Sequence, residues 1–361
     1  MTGMIPAAKP IIGDEERAAV DAVLASGGLA QGPQVAAFES EFAALVADRH
    51  CVAVNSGTSA LHMALVALGI GHGDEVIVPS FTFAATGNAV ALTGATPVFV
   101  DIEASSFCMD PNAVAAAITT RTRAIMPVHL YGHPAAMDQI MELAKTQDLL
   151  VVEDAAQAHA SGLHGTPVGA FGDAACFSFY PTKNMTSGEG GMVVTDSPET
   201  ARMVRLLRNQ GMEQRYRNEV VGFNTRMTDI HAAIGRVQLR KLAGWTAQRR
   251  ANASFLDDHL ENVITPPVAE GATHVYHQYT IRIPGHDQGA FTAALAERGV
   301  GSGVYYPTPV HALPSFGLDL DLPETWRAAR EVVSLPVHPS LSRDDLETIV
   351  TAVNEVAKAG A

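Results

Sequence analysis

Lys183 lies in the run Ser178-Phe179-Tyr180-Pro181-Thr182-Lys183-Asn184, between an apolar stretch and the glycine-rich Gly188-Glu189-Gly190-Gly191. The chain has five lysines; Lys9 sits near the start, Lys145 and Lys241 in amphipathic helical patterns and Lys358 near the end, so Lys183 alone occupies a site-like loop. An amine desolvated there gives up its proton readily and attacks an aldehyde carbon, as Schiff-base lysines do. Considered alone, it reads first as a solvated loop lysine. Asn55-Ser56-Gly57-Thr58-Ser59-Ala60 joins an apolar run to a helical pattern with Leu61, Ala64, Leu65 and Leu68 on one face. Such a turn aims free backbone N–H groups, a positive dipole end and two hydroxyls at whatever lies above it, which suits a phosphate, although an ordinary helix cap has the same look. Glu153-Asp154-Ala155-Ala156-Gln157 follows the most apolar run, Leu149–Val152, and sets a carboxylate at a strand end. A buried carboxylate stays ionised only with a partner; a protonated pyridine nitrogen is one, a helix N-terminus another.

Phosphate cradle, strand-end acid and loop lysine occur in the order and on the strand edges that one bound pyridoxal phosphate (PLP) requires, where the protonated ring acts as an electron sink. The elements that must position them are legible in the same stretch. Short apolar runs at Cys51–Val54, Val76–Val78, Pro97–Val100, Ala124–Val128, Leu149–Val152, Ala174–Phe179 and Met192–Thr195 alternate with helical patterns. That rhythm predicts an α/β fold with a mostly parallel sheet between helices, and ligands bound along one sheet edge. A long helical pattern with Ile230, Ile234, Val237 and Leu242 follows, then a strand-like Val275–Ile283, a helix around Phe291–Arg298 and a terminal helix from Arg343. The expected division is a large PLP-binding domain over residues 1–247 and a smaller C-terminal α+β domain over 248–361, as befits a chain of 361 residues.

A formal charge of −14 argues against a nucleic-acid or membrane-surface role, both of which need clustered Lys and Arg. Hydrophobic residues at 47% and charged residues at 17% describe a folded globule. Cys51, Cys108 and Cys176 are odd in number and widely spaced, which suggests neither disulfides nor zinc and fits a cytoplasmic setting. Met1–Pro10 lacks the pattern of an export signal. Gly69-Ile70-Gly71-His72-Gly73 ends a helical pattern instead of joining a strand to one, so a dinucleotide fingerprint is not expected. His129 and His133 are separated by a helix-breaking Gly132 with Pro134 beyond, and no metal is expected. His159 is expected to be a hydrogen-bonded histidine behind the cofactor loop.

Taken together, these motifs resemble the DegT/StrS-type nucleotide-sugar aminotransferases of the fold-type I PLP enzymes. The likeness runs through Gly32-Pro33 with Phe38-Glu39, Ser56–Leu61, Pro79-Ser80-Phe81-Thr82-Phe83, Glu153–Gln157, Ser178–Lys183, Gly188–Gly191, Gly222-Phe223-Asn224-Thr225-Arg226-Met227, and Tyr306-Pro307 with His311. It implies a large αβα domain with a seven-stranded sheet, and PLP held on Lys183 as a Schiff base. It further implies that Gly57, Thr58, Ser59 and Ser178 hold the phosphate, that Phe83 stacks on the ring, and that Asp154 pairs with the ring nitrogen. Gln157 is implied near the ring and its 3-oxygen, Asn224 at the phosphate of a neighbouring subunit's cofactor, and Arg226, Tyr306 and His311 toward substrate. Relatives often carry His-Tyr-Pro where this chain has Tyr305-Tyr306-Pro307.

The implied activity is transamination in a homodimer. Glutamate would convert the cofactor to pyridoxamine phosphate, and the amine would pass to a C-3 or C-4 ketone on a nucleotide-linked, 6-deoxy hexose. Dehydration or elimination on the same scaffold, aminotransfer to a ketocyclitol, and a non-catalytic sensor are the other readings. Lys183 favours transamination over dehydration, because dehydratase relatives carry histidine there.

Overall fold

The apolar runs form one sheet in the computed structural model, which describes residues 3–359. Its strands are β1 (His50–Val54), β2 (Glu75–Pro79), β3 (Thr96–Val100), β4 (Thr122–Ile125), β5 (Leu150–Asp154), β6 (Ala174–Ser178) and β7 (Gly191–Thr195). They lie in the order β1-β7-β6-β5-β4-β2-β3. Pairing is parallel from β3 through β2, β4 and β5 to β6, while β7 runs antiparallel to both β6 and β1. The reversal of β7 matters for the site, because it brings the Gly188–Gly191 loop to the edge where β1, β5 and β6 end. Gly191 lies opposite both Val54 and Ser178.

Successive strand residues face opposite sides, and both sides are apolar, so the sheet is covered twice. Val52, Val54, Val76, Val78, Val152 and Val193 pack on one face with residues of α3 (Gly57–Ala67), α4 (Ala85–Leu92) and α7 (Pro198–Arg208), among them Leu61, Leu65, Ala89 and Val204. On the other face Ile77, Ile125 and Val151 meet Ile140 of the helix Met137–Gln147. Ala53, Phe177 and Val194 there meet Phe38 and Phe42 of the helix Pro33–Ala43. Ser56 caps α3, its hydroxyl accepting the Ser59 amide hydrogen bond at 3.1 Å.

Two expected strands are shorter than the sequence pattern suggests. β4 stops at Ile125, before Pro127, which has no N–H for the ladder, and Val128 makes only an isolated bridge to Asp154. Of the expected Val275–Ile283 run only Tyr279–Arg282 is strand, paired antiparallel with Val332–Leu335. The residues before it form a loop, where the Tyr276 and His277 carbonyls accept from Arg249.

The helix Asp229–His259 is unbroken over 31 residues. Its Ala232 and Leu242 belong to the core under the sheet, while Ala253 and Leu256 join a separate cluster with Tyr279, Ile281, Phe291 and Ile349. The expected division at 247/248 falls between those groups, inside the helix. The N-terminal segment crosses the division as well. Ile5 joins the C-terminal cluster and exchanges 2.8 Å hydrogen bonds with Gly299 and Gly301, a contact too short to leave a periodic signature. Among the described residues no helix is long and apolar enough to cross a membrane.

Candidate active site

β5 ends on two carboxylates that the pleat sends to opposite sides. Glu153 points away from the edge and is fully buried, accepting from the amides of Gly169, Phe171 and Gly172 and paired with His129 at 3.1 Å. Burial alone would raise its pKa, but the His129 contact and the backbone donors outweigh it and hold the pKa low. Asp154 faces a cavity of about 470 Å³ at the sheet edge. Its Oδ2 accepts from the Thr86 hydroxyl at 2.8 Å and its Oδ1 from the Ala156 amide at 3.2 Å. Burial raises its pKa, opposed by those two donors and by the charge of Lys183.

Lys183 opens on the same cavity, positioned by the turn after β6, where its amide donates to the Tyr180 carbonyl at 2.9 Å. Desolvation pushes the amine down to about 8, with Asp154 opposing. An amine so tuned is neutral in a sizeable fraction near neutrality, as a nucleophile and base must be.

The N-terminus of α3 closes another wall. Gly57 and Thr58 occupy its first turn, where helix geometry leaves backbone N–H groups without intrahelical acceptors. Both line the cavity beside Ser178. The approach leaves no room for side chains at two glycines. A Cβ on Gly57 would lie 2.7 Å from that of Ser178, and one on Gly191 would lie 2.3 Å from the Ser56 carbonyl oxygen. This wall therefore has donors, hydroxyls and a helix dipole suited to a phosphate.

Phe83 also lines the cavity and is 59% exposed, so it is not a core residue. Its ring lies 6.0 Å from that of Tyr306. Gln157 is locked at its carbonyl by the Tyr131 amide at 2.7 Å, and its Nε2 donates to the Tyr306 hydroxyl at 3.1 Å. Tyr305 lines the cavity too. Its backbone carbonyl accepts from the Tyr131 hydroxyl.

Four expected residues lie off this wall. The Ser59 hydroxyl accepts from that of Ser56 at 3.0 Å, inside the helix cap. His311 is buried against Ser80, with which it shares a 2.5 Å hydrogen bond, and packs on Trp326. Asn224 is exposed, and Arg226 donates to Asn209 at 2.7 Å. Both sit on a surface loop with Val221, 92% exposed, and Phe223. His159 corrects an expectation: it is buried between Phe177 and Phe179, and neither ring nitrogen is hydrogen-bonded. Burial and the Lys183 charge depress its pKa to about 3, so the ring is neutral.

Other cavity residues escaped the sequence reading: Tyr180, Thr182, Glu189, His277 and Gln278 line it, and Thr86 stands behind it. Thr86 had no marker in the pattern, since Thr82, four residues before it, lies outside α4. His277 had none, because it lies on an irregular loop brought in from a distant part of the chain.

The model of the DegT/DnrJ/EryC1/StrS aminotransferase family matches residues 10–354. The pleiotropic regulatory protein of Geobacillus stearothermophilus is 42% identical over 93% of this chain and 92% of its own length. dTDP-3-amino-3,4,6-trideoxy-alpha-D-glucose transaminase of Streptomyces venezuelae is 44% identical over 95% of this chain and 92% of its own. Among solved structures, S. venezuelae DesV in complex with a ketimine intermediate superimposes with a TM-score of 0.92 at 43% identity, covering 95% of this chain and 94% of that one. The sheet, the cavity at its edge and these likenesses agree: the chain belongs to the DegT/DnrJ/EryC1/StrS aminotransferase family of sugar aminotransferases.

Proposed function

We propose that the protein moves an amino group from glutamate to the C-3 or C-4 ketone of a nucleotide-linked, 6-deoxy hexose, giving an amino sugar nucleotide. The observation that carries this reading is the convergence of Lys183, Asp154, the α3 N-terminus, Ser178 and Phe83 on one cavity. The names of relatives, such as the dTDP-sugar transaminase, supply the substrate class.

The residues present fit PLP, the cofactor this family implies. Thr58, Ser178 and the Gly57 and Thr58 amides would hold its phosphate, Phe83 would cover its ring, and Asp154 would hold the proton on its nitrogen. Ser59 would act through the cap, stiffening the cradle. When bound, the cofactor supplies a sink for the electrons left as a substrate C–H bond breaks. Lys183, with its lowered proton affinity, would take that proton from the substrate carbon on its Nζ and give it back on the side of the cofactor it faces. Gln157 fixes the Tyr306 hydroxyl and would lie toward the cofactor's 3-oxygen, and Tyr305 and Tyr306, which line the cavity, would wall the space for the sugar. His311 would support this wall indirectly through Ser80.

Among the described residues that line the cavity Lys183 is the one cation, too little for a cofactor phosphate, a nucleotide diphosphate and glutamate carboxylates together. This supports a homodimer in which Asn224 and Arg226 of each subunit reach the neighbour's cavity from the loop bearing exposed Tyr216, Val221 and Phe223. The cytoplasmic setting is part of the same proposal and fits three buried free thiols.

The test incubates the purified protein with glutamate and dTDP-, UDP- and GDP-linked 3-keto and 4-keto hexoses. Mass spectrometry should find an amino sugar nucleotide and 2-oxoglutarate. A deoxygenated product without nitrogen would replace transamination by elimination, and amination of a ketocyclitol alone would replace the acceptor. Tight binding without turnover would favour the non-catalytic sensor reading instead, the Geobacillus relative being named a regulatory protein.

A further inference from the structure

Behind Asp154 lies a chain of two hydroxyls with its own direction. Thr82 Oγ1 and Thr86 Oγ1 are 3.0 Å apart, Thr86 Oγ1 is 2.8 Å from Asp154 Oδ2, and both threonines are buried. An ionised carboxylate has no proton to give, and a hydroxyl has one. Thr86 must therefore spend its proton on Asp154, which obliges Thr82 to donate to Thr86. Thr82 itself lines the cavity and, its proton committed, offers the cavity only lone pairs. A protonated Asp154 would remove this order, since the acid could then donate to Thr86.

We propose that Thr86 is a positioning residue of the reaction, holding Asp154 ionised and aimed at the cavity, with Thr82 fixing the direction of the Thr86 proton. This rests on the reading in which Asp154 faces the cofactor's ring nitrogen. The geometry supplies what Asp154 needs. Among the described residues its only other hydrogen-bond donor is the Ala156 amide at 3.2 Å, and a carboxylate removed from water is costly unless its lone pairs are met. Thr86 sits in the first turn of α4, so the helix that packs on β2 also delivers the hydroxyl to the end of β5. The methyl group of a threonine could be retained for packing alone, which makes valine and serine the informative replacements.

Thr86→Val keeps the shape and deletes the donor; Thr86→Ser keeps the donor and deletes the methyl. PLP affinity is read by titrating cofactor into the cofactor-free proteins and following absorbance, and kcat and KM are measured at saturating PLP. Thr86→Val should weaken PLP binding roughly 10-fold and lower kcat by a similar factor with KM little changed, the size expected for a hydrogen bond to a charged group. Thr86→Ser should restore both, and in an Asp154→Asn background Thr86→Val should have no further effect on PLP affinity. Wild-type behaviour of Thr86→Val, or a Thr86→Ser as impaired as Thr86→Val, overturns the proposal even where Asp154→Asn is severely damaged. If Asp154→Asn itself binds PLP and turns over normally, the underlying reading of the site falls instead.

Discussion

At the residue scale, the chemistry depends on how burial tunes two opposite charges that share a cavity. Lys183 is pushed down to about 8 from an ordinary lysine value of 10.5. Between those values the unfolded chain holds a proton that the folded chain has released, so folding stability rises with pH across that window; below it both states are protonated and the full penalty applies. In cofactor-free protein, urea unfolding at a series of pH values should show a gain approaching about 3 kcal/mol from pH 8 to 10.5 that Lys183→Met lacks. Equal slopes in the two proteins would mean the amine is not desolvated. Lys183→Ala should also lose turnover and the visible absorbance of cofactor-loaded protein, and a variant that kept both would remove Lys183 from the chemistry. Lys183 and Asp154 were legible because each stands at the end of an apolar run, where position alone implies a sheet edge. Thr86, His277 and Gln278 were not, since a side chain that enters a site from behind or from a remote loop has no such marker.

At the element scale, the helix Asp229–His259 joins the two packing clusters, and two of its glycines allow a matched pair of substitutions. Gly244 is exposed, with nothing within 4 Å of where a Cβ would stand, whereas at Gly235 that atom would lie 2.8 Å from the Phe38 ring. Alanine improves helix propensity equally at both, so the difference reports packing alone. Gly244→Ala should stabilise the protein by about 0.5–1 kcal/mol, while Gly235→Ala should destabilise it by about 1–3 kcal/mol through overpacking, both measured by urea unfolding. A destabilising Gly244→Ala would show that the helix is broken where the sequence suggested a domain boundary. The periodicity of Ile230, Ile234, Val237 and Leu242 made this helix legible, but not its length, because its later residues serve a different core. The seven sheet strands were legible from apolar runs, whereas the reversal of β7 was not: an antiparallel strand buried on both faces reads like a parallel one. The contact of Ile5 with Gly299 and Gly301 was likewise hidden, since so short a segment has no period to detect.

At the scale of the whole molecule, one chain supplies the proposed acid, base and phosphate cradle but, among its described residues, lines the cavity with a single cation, Lys183. Asn224 and Arg226 are not among the residues that line their own chain's cavity, and they follow Val221, 92% exposed, on a surface loop next to a short hairpin whose turn carries Tyr216, 81% exposed. Large apolar side chains gathered at a surface mark a contact face, and a two-fold dimer would present each loop to the other subunit. If the sites are shared, defects on opposite sides of the contact must be able to compensate. Lys183→Ala removes the base from a subunit's own cavity, and a double Asn224→Ala, Arg226→Ala variant removes what that subunit lends. Each homodimer should be inactive or nearly so. Unfolding and refolding the two together should form mixed dimers in which one cavity has both its own Lys183 and the partner's intact loop, so activity should reappear in the mixture. Size-exclusion chromatography with light scattering identifies the dimer, and turnover of the mixture against each parent measures the recovery. Two inactive parents whose refolded mixture stays inactive, although mixed dimers are present, would place Asn224 and Arg226 in service of their own subunit and require the missing positive charge to come from elsewhere in the same chain.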